Sequence, residues 1–196
     1  MPVEHPRRFP VAVMPAFFLG LAISVGVAAE PDEPKRPAVG DAAADFELAT
    51  VDGKEKIKLT EQLKKGPVVL LVLRGFPGYQ CPLCTAQIGK FLNRSKAFAK
   101  ANATVVMIYP GPADGLKSHA EDFVRGKTLP DNFLLLLDPD YKFTNSYHLR
   151  WDAKNETAYP STFVIGQDGK IRFAKISMKH GGRSSPDEVL KAIPAN

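Results

Sequence analysis

Residues 67–73 form an unbroken apolar run of valines and leucines after Pro67, and a short glycine- and proline-bearing loop then leads to Cys81, Pro82, Leu83 and Cys84. A strand that is apolar on both faces needs a packed layer above and below it, so it belongs at the centre of a covered sheet. From Pro82 the pattern changes to helical spacing. Cys84, Ile88, Phe91, Leu92, Ser95 and Phe98 share a stripe, with Lys90, Arg94, Lys96 and Lys100 largely off it, which predicts a helix over 82–101. A buried strand that turns straight into a helix, with two cysteines at the turn, dictates the reading of the rest of the chain.

The remaining segments complete an α/β pattern. Residues 45–59 read as two short strands around the turn Asp52–Gly53, an N-terminal β-hairpin. Residues 104–109 and 133–137 are further apolar runs, the second halted by Asp138 and Pro139, with a helix over 114–125 between them and a short helix over 141–149 after them. Residues 161–165 and 170–176 form a hairpin about Gln167, Asp168 and Gly169, and a last helix covers 186–193. Alternating strands and helices that finish in a hairpin imply a central mixed β-sheet flanked by helices.

The two cysteines are the only ones in the chain. A bridge across two residues closes too small a loop to restrain the unfolded chain, so the pair is there to react rather than to staple. Cys81 falls at the expected N-cap, Pro82 at the first helical position, where its missing N–H is harmless, and Cys84 in the first turn. Unpaired N–H groups and the positive end of the helix favour thiolate over thiol, and a second sulfur one turn away can close a disulfide. Cysteine pairs of this spacing also hold zinc, but with further ligands. Here there is no second pair, and His119, His148 and His180 lack metal-ligand spacing, so neither metal nor cofactor is expected.

Arg7 and Arg8 precede a stretch from residue 9 to 29 without charge, ending in small residues before Glu30. That layout is a secretory signal over residues 1–29, which puts the protein in the periplasm or outside the cell, or leaves it anchored at the membrane if the signal stays uncleaved. Residues 30–40, with prolines at 31, 34 and 37, read as an extended linker that buries nothing, and residues 41–196 as the domain. The formal charge of +5 is spread along the chain rather than clustered, so no nucleic-acid partner is expected.

With these residues in place, the chain resembles the thioredoxin-like superfamily, and more closely the alkyl hydroperoxide reductase/thiol-specific antioxidant (AhpC/TSA) family of peroxiredoxin-like proteins. The resemblance spans roughly residues 40–193 and rests on the run before the cysteines, on residues 137–140, 161–165 and 168–171, and on Gly182, Arg183 and Ser184. It implies a thioredoxin-like fold and an oxidoreductase acting on thiols, disulfides or peroxides. Peroxiredoxins carry PxxxTxxC, whose last residue attacks peroxide. Pro77 and Cys84 match that register, while Cys81 stands in place of the threonine. Peroxiredoxins also place an arginine just before the strand spelled here 161–165, where this chain has Pro160, as thioredoxins do. The resemblance implies a cis Pro160 beside the disulfide, offering backbone to an incoming peptide, and leaves Arg74 or Arg183 to stand in for the missing arginine.

Three readings follow. The first is an exported thiol–disulfide oxidoreductase in which Cys81 attacks and Cys84 resolves, with an electron-donor protein and disulfide-bearing proteins as partners. The second is a thiol-dependent peroxidase in which Cys84 attacks a hydroperoxide and Cys81 condenses with the sulfenic acid. The third is a copper carrier of the same fold, which would need His180 to fold back onto the two thiolates. Phe76 and Tyr79 are expected as an apolar rim around the cysteines, and Trp151 as a packing residue.

Overall fold

The computed structural model describes residues 1–3 and 35–194. Its elements run β1 (Glu47–Ala49), β2 (Lys56–Lys58), α1 (Leu59–Leu63), β3 (Val68–Val72), α2 (Pro82–Leu92), α3 (Ser95–Lys100), β4 (Thr104–Gly111), α4 (Leu116–Val124), β5 (Phe133–Pro139), α5 (Lys142–Ser146), β6 (Ser161–Ile165), β7 (Ile171–Ile176) and α6 (Pro186–Ala192). The expected α/β architecture is present. β1 and β2 pair antiparallel as a separate hairpin, and the main sheet has the order β5-β4-β3-β6-β7. β3 is its centre, parallel to β4 and antiparallel to β6, so the sheet is mixed.

Every residue of β3 is buried, and alternate side chains enter two separate cores. Val69 and Leu71 point to the layer that holds Ile88 and Phe91 of α2, Phe98 of α3, Phe123 of α4 and Val189 of α6. Val68, Leu70 and Val72 point to the layer that holds Leu59 and Leu63 of α1 and Phe143 of α5. Because side chains alternate along a strand, a strand with both faces covered must be apolar throughout, which is why the run is continuous. Both cysteines belong to the first layer.

Three local expectations are corrected. The helix predicted over 82–101 is two helices. Asn93 and Arg94 break it, with the Arg94 N–H bonded to the Phe91 carbonyl in a tighter turn, after which the Phe98 ring stacks on Phe91 at 5.5 Å. β5 does not halt at Asp138 but pairs through Pro139 with Gly111. It is an edge strand, where a proline without a donor is tolerated. Leu59, read as the end of a strand, instead begins α1.

The export signal read over residues 1–29 lies, apart from its first three residues, outside the described residues, as does the first part of the linker. The remainder of the linker is not free of the domain. Arg36 donates to the His148 carbonyl at 3.1 Å and stacks over the Tyr159 ring, and the Gly40 N–H bonds to the Ile171 carbonyl.

Candidate active site

The chain reverses sharply between β3 and α2, and Gly75 makes the reversal possible. Its φ is +70°, and a Cβ there would lie 2.0 Å from the Pro110 carbonyl oxygen, so no other residue fits. The loop that follows is pinned at both ends. Phe76 stacks on the His119 ring at 3.7 Å, and Gln80 donates to the His119 carbonyl while accepting from the Tyr109 hydroxyl. Phe76 is therefore a clamp rather than free rim. Of the two aromatics expected to border the cysteines, only Tyr79 is exposed. Pro77 sits half-buried in this loop.

Cys81 is the N-cap of α2, Pro82 follows at its first position, and both thiols are free. Cys81 Sγ accepts the Cys84 backbone N–H at 3.3 Å and the Arg183 guanidinium at 3.5 Å. Cys84 Sγ accepts the Arg74 backbone N–H at 3.4 Å. Hydrogen bonding from the Cys84 thiol works against burial, and with the Cys84 N–H and Arg183 it lowers the Cys81 pKa to about 5. The same sharing of one proton, together with burial in the core, pushes Cys84 well above the ordinary thiol value. Both directions favour a thiolate on Cys81 and a thiol on Cys84.

The sulfurs are far less open than a reactive pair at a helix start suggests. Cys81 is 3% exposed and Cys84 1%. The apolar stripe of α2 that carries Cys84 faces the sheet, and the loop between β7 and α6 lays Arg183 on Cys81. Leu83, between the cysteines, is 45% exposed.

Arg74 touches a sulfur through its backbone only, although its charge also helps lower the Cys81 pKa. Its guanidinium turns away to Glu156 at 2.7 Å, the Tyr79 hydroxyl at 2.8 Å and the Asn155 carbonyl at 2.9 Å. Burial penalises that charge, but Glu156 and Tyr79 more than offset the penalty, so Arg74 is held more firmly protonated than usual. Burial likewise opposes the Glu156 charge, and Arg74 and His180 outweigh it, keeping the carboxyl below its ordinary value. His180, which a copper site would need beside the sulfurs, is instead bonded to Glu156 at 2.8 Å.

Arg183 is the guanidinium that touches sulfur. Its segment is tied on both sides, by His180 to Glu156 and by the Ser184 hydroxyl to Thr162 at 2.7 Å, while Gln87 accepts from Arg183 and donates to Ser184. The sequence does not mark Gln87 or Glu156 as site residues, and Thr162 and Ser184 figure in it only within the stretches that carry the family resemblance. Gln87 had one available signal, a polar residue one turn past Cys84 and beside the apolar stripe of α2.

Among the described residues there is no cis peptide bond, so the Tyr159–Pro160 bond is trans, the form X–Pro bonds ordinarily prefer. The register of β3 against β6, continued by one residue, sets Pro160 beside Leu73 at the entrance to the cysteine loop. Its carbonyl is already taken by the Ser177 N–H at 2.9 Å. The Tyr159 N–H bonds to the Leu149 carbonyl, and the Tyr159 carbonyl accepts from the Ser161 hydroxyl. The backbone expected to receive a peptide is fully occupied. Trp151 packs on Tyr159 with ring centroids 4.8 Å apart.

Comparison with known proteins shows the family to which the chain belongs. The model of the AhpC/TSA family matches residues 39–174. A putative peroxiredoxin bcp of Helicobacter pylori is 32% identical over 160 residues, which cover 79% of this chain and 97% of that protein. Peroxiredoxin Bcp of Bacillus subtilis is 28% identical over 149 residues, 72% of this chain and 87% of that protein. Among solved structures, peroxidoxin BcpB of Mycobacterium tuberculosis superposes with a TM-score of 0.63 at 25% identity, over 80% of this chain and 96% of that one.

Proposed function

From the premise that this chain belongs to the AhpC/TSA family and is an oxidoreductase of thiols and peroxides, we propose that it is a thiol-dependent peroxidase that turns over through a Cys81–Cys84 disulfide. The observation that carries this reading is the burial of both sulfurs as one pair beneath Arg183, with Cys81 accepting from the Cys84 N–H and from that guanidinium. A hydroperoxide is small enough to reach such a sulfur, whereas a folded disulfide substrate is not, and the Tyr159 and Pro160 backbone has no free group to receive its chain. This favours the peroxidase over the protein-disulfide exchanger that the CxxC spacing alone suggests.

The contacts around the two sulfurs support the following steps. The Cys81 thiolate attacks the terminal peroxide oxygen. The O–O bond breaks, the alcohol or water leaves with a proton, and Cys81 becomes a sulfenic acid. The Cys84 thiol, already in contact, displaces hydroxide from that sulfur, and water departs as the disulfide closes. Two external thiols, or one dithiol, then supply two electrons and leave as a disulfide. The family register points to Cys84 as the attacking residue, but two of the three donors to sulfur lie on Cys81, whose pKa is lowered, and this supports Cys81 instead. Replacement of the family's threonine by a cysteine at the N-cap moves the thiolate one turn towards the helix terminus.

We further propose that the protein works outside the cytoplasm. Support comes from Arg7 and Arg8 before the uncharged stretch over 9–29. N-terminal sequencing of the protein from fractionated cells tests this reading, and a product starting at Met1 in the cytosol would refute it.

Peroxide consumption driven by a small dithiol is the test of the activity. Turnover is expected in the wild type and should fall to background in Cys81→Ser. Cys84→Ser should give a single sulfenylation without a disulfide. Turnover that survives loss of Cys81 would overturn the assignment.

A further inference from the structure

A cavity of about 230 Å³ opens beside the cysteine pair, between the outer face of α2 and the loop that precedes α6. Leu83 and Ala86 give it an apolar wall, and Lys90 and Arg183 supply positive charge. No acidic residue lines it. The neighbouring acids are already engaged, Asp187 with Arg94, Glu188 with Lys175, and Glu156 with Arg74 and His180. Among the described residues, neither Lys90 nor Arg183 is joined to a carboxylate by a salt bridge. The cavity therefore combines two uncompensated cations with an apolar wall, and one of its lining residues, Arg183, also contacts Cys81 Sγ.

Resting on the peroxidase reading, we propose that this cavity is the docking site of the reductant and that the reductant is a low-molecular-weight thiol bearing one or more carboxylates. The redox cycle itself sets the preference. In the reduced protein the Cys81 thiolate neutralises Arg183 at 3.5 Å. Once the disulfide forms, that negative charge is gone and Arg183 is left without an anion. The groove is thus most positive in the oxidised state, the state a reductant meets, whereas a hydroperoxide meets the reduced and compensated one. An acidic thiol seated there gains twice, because its carboxylate pairs with Lys90 or Arg183 and the same charges favour its thiolate.

Its thiolate attacks Cys81 Sγ from the side away from Cys84. A mixed disulfide forms at Cys81, and Cys84 leaves as a thiolate that takes up a proton. A second molecule of the thiol then attacks the small-molecule sulfur, releasing the symmetric disulfide of the reductant and restoring the Cys81 thiolate.

The test uses the Cys81–Cys84 disulfide prepared with diamide, so its outcome does not depend on peroxide reactivity. Rates of reduction by mercaptosuccinate and glutathione are compared with that of neutral 2-mercaptoethanol, each divided by its thiolate fraction. The acidic thiols should be faster by about tenfold, with the advantage shrinking as salt is added. The ratio of acidic to neutral rates should collapse in Lys90→Glu and persist in Lys100→Glu. Equal rates for acidic and neutral thiols, or the same loss in both variants, would overturn the assignment. A Lys90→Glu variant slowed only towards a carboxylated hydroperoxide would also overturn it, by giving the groove to the oxidant. Failure of the peroxidase reading would show separately, as a thiol titre unaffected by peroxide.

Discussion

Two arginines reach the cysteine pair, Arg74 from the end of β3 and Arg183 from the loop before α6. Arg74 is almost wholly enclosed, its side chain 4% exposed, and its donors go to Glu156, Tyr79 and Asn155. Only its backbone N–H meets a sulfur. Arg183 is half-buried, rests on Cys81 and shares its remaining donors with a neutral amide and a carbonyl. A guanidinium surrounded by a carboxylate and fixed acceptors is a structural tie, because its charge is already spent. One that faces a titrating sulfur and an open groove can respond to what the sulfur does. The same residue type thus builds the site on one side and operates it on the other.

The largest expected effect separates the two roles by stability. Glu156→Ala leaves the enclosed Arg74 charge uncompensated and should cost about 3–5 kcal/mol in urea unfolding. Arg183→Ala removes hydrogen bonds and the cation beside Cys81, but that sulfur can take up a proton where Arg74 cannot lose one, so the cost should be about 1–2 kcal/mol. Equal losses would erase the distinction between tie and operator.

A smaller effect reads the sulfur itself. In the wild type, Cys81 alkylation should rise as pH passes about 5 and level off above it. Arg183→Met should raise that midpoint by about one pH unit, while Glu156→Gln should leave it nearly in place. The sign carries over to folding. A thiol whose pKa is depressed in the native state stabilises that state fully above its unfolded value, near 8.5, and the gain disappears as pH falls through about 5. If Arg183→Met left both the alkylation midpoint and this acid loss unchanged, Arg183 would not be holding the thiolate.

The smallest effect concerns the exposed end of the Arg74 network. His180→Ala breaks a hydrogen bond to Glu156 made by a histidine side chain that is 48% exposed, so stability should change by about 0–1 kcal/mol. Hydrogen exchange over residues 180–185 should nevertheless quicken, because His180 is one of the ties that keep Arg183 on Cys81. Unchanged exchange would place the hold entirely in the Ser184–Thr162 and Gln87 contacts.

What could be read from the sequence divides along the same line. Strand, loop, cap and helix were legible because they are local: an unbroken apolar run, a proline at the first helical position and a cysteine one turn on fix β3, α2 and the sulfur pair without knowledge of the rest. The hairpins were legible from their turns. The break at Asn93 was not, since residues 82–101 carry helix-compatible spacing throughout and the tighter turn at Arg94 leaves no mark on that stripe. Nor could the roles of Arg74 and Arg183 be told apart, because they depend on partners at positions 155, 156 and 180, which the fold brings together from distant parts of the chain. The occupied carbonyl of Pro160 likewise follows from the β6–β7 pairing carried on to Ser177, which no motif announces.

The central claim is that one hydroperoxide molecule converts the buried thiolate and thiol into a disulfide through a sulfenic acid on Cys81. One equivalent of hydrogen peroxide added to the reduced protein should remove both thiols, and in Cys84→Ser a sulfenic-acid trap should label Cys81. Two thiols still titrating after peroxide, or a trap that labels Cys84 in Cys81→Ser while leaving Cys81 unlabelled in Cys84→Ser, would contradict it.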